Sequence, residues 1–589
     1  MKKFLALLLT LCLTAGLMAG CGDTKSSTAA SAGSEKETTT ATQTSKAPEA
    51  EEAAGSQAEA AGSAQEAPLG TGEVTEYAKE IFGTDEAPEA ISYPVDTTES
   101  LSLVATFPDP LFASYPNAMA DCAIYQEAEN RTGIHVEYQG LSTSASNEQF
   151  NVMVASGSYP DLIGWGLNFA NGDDAQVDED VILDLTDYIP QYAPNYFKLL
   201  STDDELLRTA VSASGYITAF FGLTTEDSLG KAGMAIRTDE LEKLGLDKPY
   251  TIDEWEETLA AFKNDGLDQP LMMLAPGAIQ DNWIAAAYDV AAFCNSFPQS
   301  VAPTFVKDGE IKFGPLEEGF KEYITKMHEW YTKGYIDPDF ISINANWNSP
   351  DYSNAITSGE AGIFYADWGN LGGYIQNSEI DGFAVEATYD MHATEDSTNH
   401  FGAFTKKSAG NGFRISGNCE NVELACQWGD YWYSDEGSLL ANYGIEGEGF
   451  EYDENGDPKF TALVTDSDLG MRDALLVYAS NGTICCVIDS NAVATGYSDV
   501  DKAAPEIWAK GMDDAYVIPT TMTLTADEST DASNIYSDIQ TTCMEYIAKF
   551  ITGDKPLDQY DAFVQTIEDM DIQGYLDIYQ GAYDRYMSK

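Results

Sequence analysis

The chain is short of positive charge. Its 589 residues hold 30 Lys and Arg against 97 Asp and Glu, a formal net charge of −67. Nucleic acid and anionic membrane surfaces need basic patches, so neither is expected as the main partner. Histidine is scarcer still, with four residues at 135, 328, 392 and 400, and the nine Cys form no recurring pairs. A His- or Cys-rich metal centre is therefore not expected, and no cofactor is expected. No Gly-x-Ser-x-Gly elbow occurs, and His328-Glu329 lacks the second His of a zinc-protease helix. What is present is 44% hydrophobic residues, with 25 Phe, 33 Tyr and 9 Trp. That content suits a packed globular body and is too high for a disordered acidic chain.

Long apolar runs are also few. Lys2 and Lys3 precede one run, Phe4–Leu17, which is too short to span a bilayer comfortably. Met18-Ala19-Gly20-Cys21 follows and resembles a bacterial lipobox, with Met18 where Leu is most usual. Residues 1–20 thus read as a lipoprotein signal peptide, and Cys21 as the lipidated first residue of the mature chain. With no second long run, the expectation is an anchored protein and not a spanning one. Residues 21–70 are low in complexity. From Gly22 on, Leu69 is the only Val, Ile, Leu, Met or aromatic residue, so the stretch cannot build a core and reads as a disordered tether. The signal adds two positive charges and the tether removes five net, so the remainder carries −64. Residues 71–99 read as an extended lead-in.

Beyond the tether, about 500 residues are too many for one core, and at least two lobes are expected. Leu101–Thr106, Ile134–Tyr138 and Leu162–Trp165 read as strands, separated by helical stretches at Pro116–Arg131 and Glu148–Ser156. That alternation predicts parallel pairing in an α/β lobe. Thr251-Ile-Asp-Glu254 is a capping box, followed by Trp255, Leu259 and Phe262 at helical spacing. Phe320, Tyr323, Ile324, Met327, Trp330 and Tyr331 form a helical stripe suited to a core. Asn455-Gly456 signals a hairpin. Helices are predicted at Tyr536–Ile551, Gln559–Met570 and Tyr575–Met587. The Cys beyond the tether (122, 294, 419, 426, 485, 486 and 543) read as buried free thiols, with a Cys419–Cys426 bond left open.

Several stretches resemble the family 1 extracellular solute-binding lipoproteins of bacterial ABC importers, in the long form common in Firmicutes. They are Phe150–Ile163, Ile236–Leu246 followed by Tyr250–Trp255, Trp330–Phe340, Ser358–Phe364, Asp430–Gly437 and Asn442–Gly447. The likeness covers roughly 100–589. It implies an α/β type II periplasmic-binding-protein fold, two discontinuous lobes joined by crossover hinge strands, with ligand held in the cleft between them. The expected lobes are 100–230 with 413–515, and 231–412 with 516–589. Ala232–Ile236 and Gly412–Ile415 suit crossing strands. The family also implies a carbohydrate ligand, an ABC permease partner, and a monomer on the extracytoplasmic face of the membrane.

Sugars are bound by aromatic rings on their C–H faces and by carboxylates, amides and Arg on their hydroxyls. In α/β lobes such groups follow the carboxyl ends of strands. That rule selects Asp109, Trp165, Trp283, Asp367 with Trp368, and Arg414 at the presumed crossing. Trp347 is added from the polar stretch Asn344–Asn348. Trp255, Trp330, Trp428, Trp432 and Trp508 follow helical patterns and are assigned to structure. Asp453–Pro458 offers oxygens at positions 1, 3 and 5, as a calcium loop does, but has Pro458 at position 6 and Val464 at position 12. The hairpin turn accounts for it without metal. Two alternatives stand beside carbohydrate capture: a binding protein for a non-sugar solute such as a peptide, and a secreted glycoside hydrolase using two carboxylates.

Overall fold

The computed structural model describes residues 72–169, 172–272, 281–293, 303–338, 340–342, 350–402, 404–480, 484–490, 492–519 and 522–588. The signal peptide, the tether with Cys21, Cys294 and Trp347 lie outside these residues. In chain order the strands are β1 (Ser100–Phe107), β2 (His135–Ser142), β3 (Leu162–Ile163), β4 (Phe220–Thr224), β5 (Ser228–Leu229), β6 (Ala232–Arg237) and β7 (Gln269–Leu271). They continue with β8 (Thr304–Lys307), β9 (Glu310–Phe313), β10 (Ala361–Asp367), β11 (Val385–Ala387), β12 (Phe404–Thr405), β13 (Ser408–Ile415), β14 (Phe450–Tyr452) and β15 (Pro458–Phe460).

The first lobe is built on a five-stranded sheet in the order β2-β1-β3-β13-β4. β1 pairs parallel to β2 and β3, as the strand–helix alternation requires. The intervening helix Ala123–Thr132 buries Ile124, Tyr125 and Ala128 and stops at Gly133, whose φ of 70° an L side chain would resist. This helix is shorter than the predicted 116–131 because Ala118–Asp121 forms a separate 3-10 turn. The lead-in is not wholly extended: Glu76–Phe82 is a helix, capped by Thr75, with Ala78 and Phe82 in the first-lobe core.

The second lobe has the sheet order β11-β6-β10-β7. The helix Ile252–Asp265 covers its own lobe with Trp255, Leu259 and Phe262, and its capping box forms as read from sequence. The stripe Phe320–Trp330 is buried on the helix Glu318–Lys333. Thr251→Ala should cost about 1 kcal/mol, the usual worth of an N-cap, read as a lower apparent Tm. The long helix Ala526–Thr552 starts ten residues before the predicted 536, at a second capping box made by Thr525 and Glu528.

Three passages join the lobes. The first runs through β5 and the second through β12, and these two pair antiparallel over Leu229–Phe404 and Ser228–Thr405. Lys406 pairs with Asp227 at 3.0 Å and Lys407 with Asp203 at 2.7 Å beside this two-residue ladder. The third passage lies just before the helix Asp499–Trp508. Val493 still packs on a satellite cluster with Tyr443 and Leu475, whereas Ala504 and Trp508 belong to the second-lobe core. The expected boundary at 515 put that helix in the first lobe; its packing is on the second, because Trp508 Nε1 donates to Met234 O of β6 at 2.9 Å.

The five Trp assigned to structure are all buried. Six Cys, 122, 419, 426, 485, 486 and 543, are free thiols. The Asn455-Gly456 hairpin forms between β14 and β15. The Asp453 carboxylate accepts the backbone N–H of Asn455 at 2.8 Å and of Asp457 at 3.0 Å, so the turn closes on itself. No helix of the described residues is long and apolar enough to cross a membrane.

Candidate functional site

The register of β6 against β10 sets the site. The antiparallel pairing places Ala232 opposite Asp367, and one step further Trp368 N donates to Lys231 O at 2.7 Å. Lys231 and Trp368 are therefore neighbours where the second-lobe sheet meets the first passage. The Lys231 ammonium lies 5.1 Å from the Trp368 ring centroid. It donates to Ser490 O at 3.1 Å, on the chain returning from the first lobe. Burial pulls this amine below the ordinary lysine range, and the Asp489 carboxylate pulls it back up.

The indole is fixed on two further sides. Trp368 Nε1 donates to Asp501 O at 2.7 Å, and Tyr497 meets the ring edge-on at 5.1 Å. The Asp501 carboxylate accepts Leu371 N at 2.8 Å and Ser498 Oγ at 2.6 Å, so it caps the helix Leu371–Asn377 and clamps the loop after Trp368. Next to the indole, Asp367 accepts the Tyr365 hydroxyl at 3.1 Å, and Tyr365 packs on Trp283 at 5.3 Å between centroids. Burial pushes the Asp367 carboxyl up to about 6, against the Tyr365 hydrogen bond and the Arg472 charge. Arg472 stands on the first-lobe helix Met471–Tyr478; it is exposed and makes no ion pair among the described residues.

The first lobe contributes a second polar group. Asp489 accepts the Tyr443 hydroxyl at 2.5 Å, and its N–H donates to Asn442 Oδ1 at 2.9 Å. Asn442 Nδ2 reaches Val487 O at 2.8 Å. The end of the helix Asp435–Tyr443 thus sets the position of the 487–490 segment.

Of the sequence-selected residues, the structure brings Trp283, Asp367 and Trp368 together. Trp165 is elsewhere: β3 is only two residues long, and the indole turns into the first-lobe core, 6% exposed, stacked on Tyr125 at 6.0 Å and 9°. Arg414 sits on β13 with its guanidinium spent on Asp173, at 2.8 Å, and on Leu167 O, at 3.2 Å; it braces the loop after β3. Asp109 stands exposed at the carboxyl end of β1, bonded by the Ser142 hydroxyl, which holds its carboxyl below the usual range. Trp347 lies outside the described residues. Lys231, Tyr443, Arg472, Asp489 and Tyr497 were not selected from sequence. Lys231 had a legible signal, since it directly precedes the apolar stretch Ala232–Ile236; that stretch and Gly412–Ile415, expected to cross between the lobes, lie inside the two sheets as parts of β6 and β13, and the crossing falls to β5 and β12. A cavity of about 1040 Å³ lies apart from these groups, between the lead-in at 82–96 and residues Asp187–Pro194, Glu423 and Gln427.

The titration of Asp367 gives a pH prediction with a definite sign. Its folded-state carboxyl is raised, so the folded chain holds its proton more firmly than the unfolded one between about pH 4 and 6. The stability this brings is present below about pH 4 and is lost as pH rises through about 6. Asp367→Asn should therefore raise the apparent Tm at pH 7.5 and leave it unchanged near pH 3.5. Thermal melts of both proteins across this range check it; equal melts at pH 7.5 would sink the assignment.

A model of the bacterial extracellular solute-binding protein family matches residues 113–438. The fructooligosaccharide ABC transporter substrate-binding protein FusA of Streptococcus pneumoniae is 24% identical over 537 residues, covering 85% of this chain and 93% of FusA. Among solved structures, an HMO-binding, ABC-transporter-associated solute-binding protein from Bifidobacterium longum infantis superposes with a TM-score of 0.67. It is 17% identical and covers 83% of this chain and 99% of its own. The alginate-binding protein AlgQ2, without calcium ion, gives 0.64 at 20% identity, covering 84% and 100%. The fold of these structures is shared along nearly all of the described chain.

Proposed function

The chain belongs to the bacterial extracellular solute-binding protein family, and from that membership we propose that it captures an oligosaccharide between its lobes and delivers it to the permease of an ABC importer. The observation that carries the reading is the Trp368 platform. An indole is fixed where two interlobe passages meet, flanked by carboxylates with hydroxyl partners and by an amine with unspent donors. An aromatic face beside hydroxyl-binding groups is what a pyranose or furanose ring requires. FusA and the alginate-binding relative, whose names state saccharide ligands, support the same class.

The protein sits on the extracytoplasmic face, tethered by a lipid on Cys21, and works as a monomer. It holds its ligand without transforming it. A thermal-shift screen against neutral and acidic oligosaccharides tests the reading, since a ligand bound only by the folded state raises stability as RT ln(1 + [L]/Kd). At 100 times Kd the gain is about 2.7 kcal/mol. A screen in which peptides shift the melt and no saccharide does would replace the sugar by a peptide. Release of reducing sugar by the purified protein would replace the receptor by a hydrolase.

A further inference from the structure

Lys231 is held by the second lobe and reaches the first. Its carbonyl accepts Trp368 N at 2.7 Å, which continues the β6–β10 ladder one step past Ala232 and Asp367. Its ammonium lies 5.1 Å from the Trp368 ring centroid and donates to Ser490 O at 3.1 Å. That carbonyl belongs to the first lobe. Ile488 N donates to Leu223 O of β4 at 2.8 Å, Asp489 N to Asn442 Oδ1 at 2.9 Å, and Asn442 Nδ2 to Val487 O at 2.8 Å. These bonds seat the segment that carries Ser490. Donor and acceptor are thus fixed to different lobes, and only the flexible lysine stem lies between them.

The place of this bond gives it leverage over the lobe angle. Lys231 stands just beyond Leu229, the end of β5, and β5 meets β12 only over Leu229–Phe404 and Ser228–Thr405. So short a ladder resists bending weakly. A hydrogen bond is lost beyond about 3.5 Å, so Ser490 can move away by only about 0.4 Å before the contact opens. The stem could follow Ser490 by changing rotamer, but the amine would then leave the Trp368 ring. The third passage touches the same indole again at its far end, through Tyr497 at 5.1 Å and Asp501 O at 2.7 Å. Bending that passage therefore shifts its two ends against each other across Trp368.

We propose that Lys231 is a positioning residue: its ammonium latches the Trp368 platform to the first lobe through Ser490 O, and holds the lobes at the angle where the indole is ready to take a sugar ring. The inference rests on the oligosaccharide reading for its ligand and adds what sets the lobe angle. A receptor whose binding-ready arrangement is only partly populated binds more weakly by that fraction, so the latch acts on affinity without touching the sugar.

The test measures the lobes directly. Spin labels are attached through keto side chains at exposed Val152, on the first-lobe helix Ser146–Ser156, and at exposed Glu568, on the second-lobe helix Tyr560–Asp569. The native thiols then stay unlabelled. Pulsed dipolar spectroscopy on the ligand-free protein gives the interlobe distance. In Lys231→Met, the ratio of molecules outside the main distance peak to those inside it should rise about tenfold, the scale of one charged hydrogen bond. Lys231→Arg can donate to Ser490 O and stack on the indole, so it should stay within about threefold of wild type. Lys231→Gln keeps a neutral donor and should fall between them, which keeps the test sound where methionine disturbs the fold. Calorimetry with kestose, maltotriose and mannotriose follows the ligand. A probe that binds the wild type should bind Lys231→Met about tenfold more weakly and Lys231→Arg within about threefold. Distance distributions that are the same in wild type, Lys231→Met and Lys231→Gln overturn the latch. Weaker binding with unchanged distances makes Lys231 a direct ligand contact and overturns it as well. A wild type that binds none of these sugars counts against the oligosaccharide reading, while the ligand-free distances still decide the latch.

Discussion

Trp368→Ala should weaken oligosaccharide binding by about 30-fold or more. Truncating an aromatic anchor in a desolvated site costs about 2 kcal/mol or more, and each 1.4 kcal/mol is a factor of ten. The ring is held by its N–H to Asp501 O, by Tyr497 at its edge and by Lys231 over its face. Little side-chain entropy remains to be lost when a sugar stacks on it. Trp368→Phe keeps a face for the sugar and loses only the N–H contact, so it should fall between wild type and alanine. Calorimetry on the three proteins checks the order. A loss below threefold for the alanine variant would remove Trp368 from the site. The ligand-free melts separate loss of the platform from loss of the Asp501 contact.

Asp430→Ala should destabilise the fold by about 3 kcal/mol, a large part of the 5–15 kcal/mol typical of whole domains. Asp430 is fully buried on the helix Val422–Tyr431 and accepts Asn195 N at 2.7 Å, Tyr196 N at 2.9 Å and Asn195 Nδ2 at 2.8 Å. These donors open the helix Pro194–Ser201, whose first-turn N–H groups have no intrahelical partner. Burial pushes the carboxyl up to about 7 while the three bonds pull it down. Alanine would strand the buried Tyr196 N–H, worth roughly 1–3 kcal/mol unpaired, and remove the acceptor of two half-buried Asn195 donors, which water can partly replace. Asp430→Asn keeps one oxygen and should lose less. Urea unfolding followed by tryptophan fluorescence reads both, and an alanine variant within 1 kcal/mol of wild type would refute the account.

The helices were the legible part. Trp255, Leu259 and Phe262 share a face because 3.6 residues make a turn, and the stripe from Phe320 to Trp330 follows the same rule. The parallel core of the first sheet followed from alternation alone. The candidate site was legible in half. Asp367 and Trp368 lie where a strand ends, and a rule about strand ends finds them. Lys231 reaches Trp368 through antiparallel register, and Ser490 reaches Lys231 across roughly 260 residues of chain. Neither relation leaves a local mark. Trp165 misled for the same reason: the strand-end rule locates the backbone, while the direction of the indole depends on Tyr125 in another element. Arg414 was one of many cations facing many acids, and only packing shows that Asp173 is its partner.

The place of β13 in the first sheet has a consequence for how the chain comes off the ribosome. It lies between β3 and β4, so the sheet cannot close without it, yet β4 ends at Thr224 and β13 begins only at Ser408. During synthesis the first lobe has two disconnected sheet fragments until some two-thirds of the chain is made. Pairing over so long a loop is slow, because closure entropy must be overcome before the contacts form. An early part that stays open this long remains threadable, which is the state a polypeptide needs while it is passed through a membrane pore and folded on the far side.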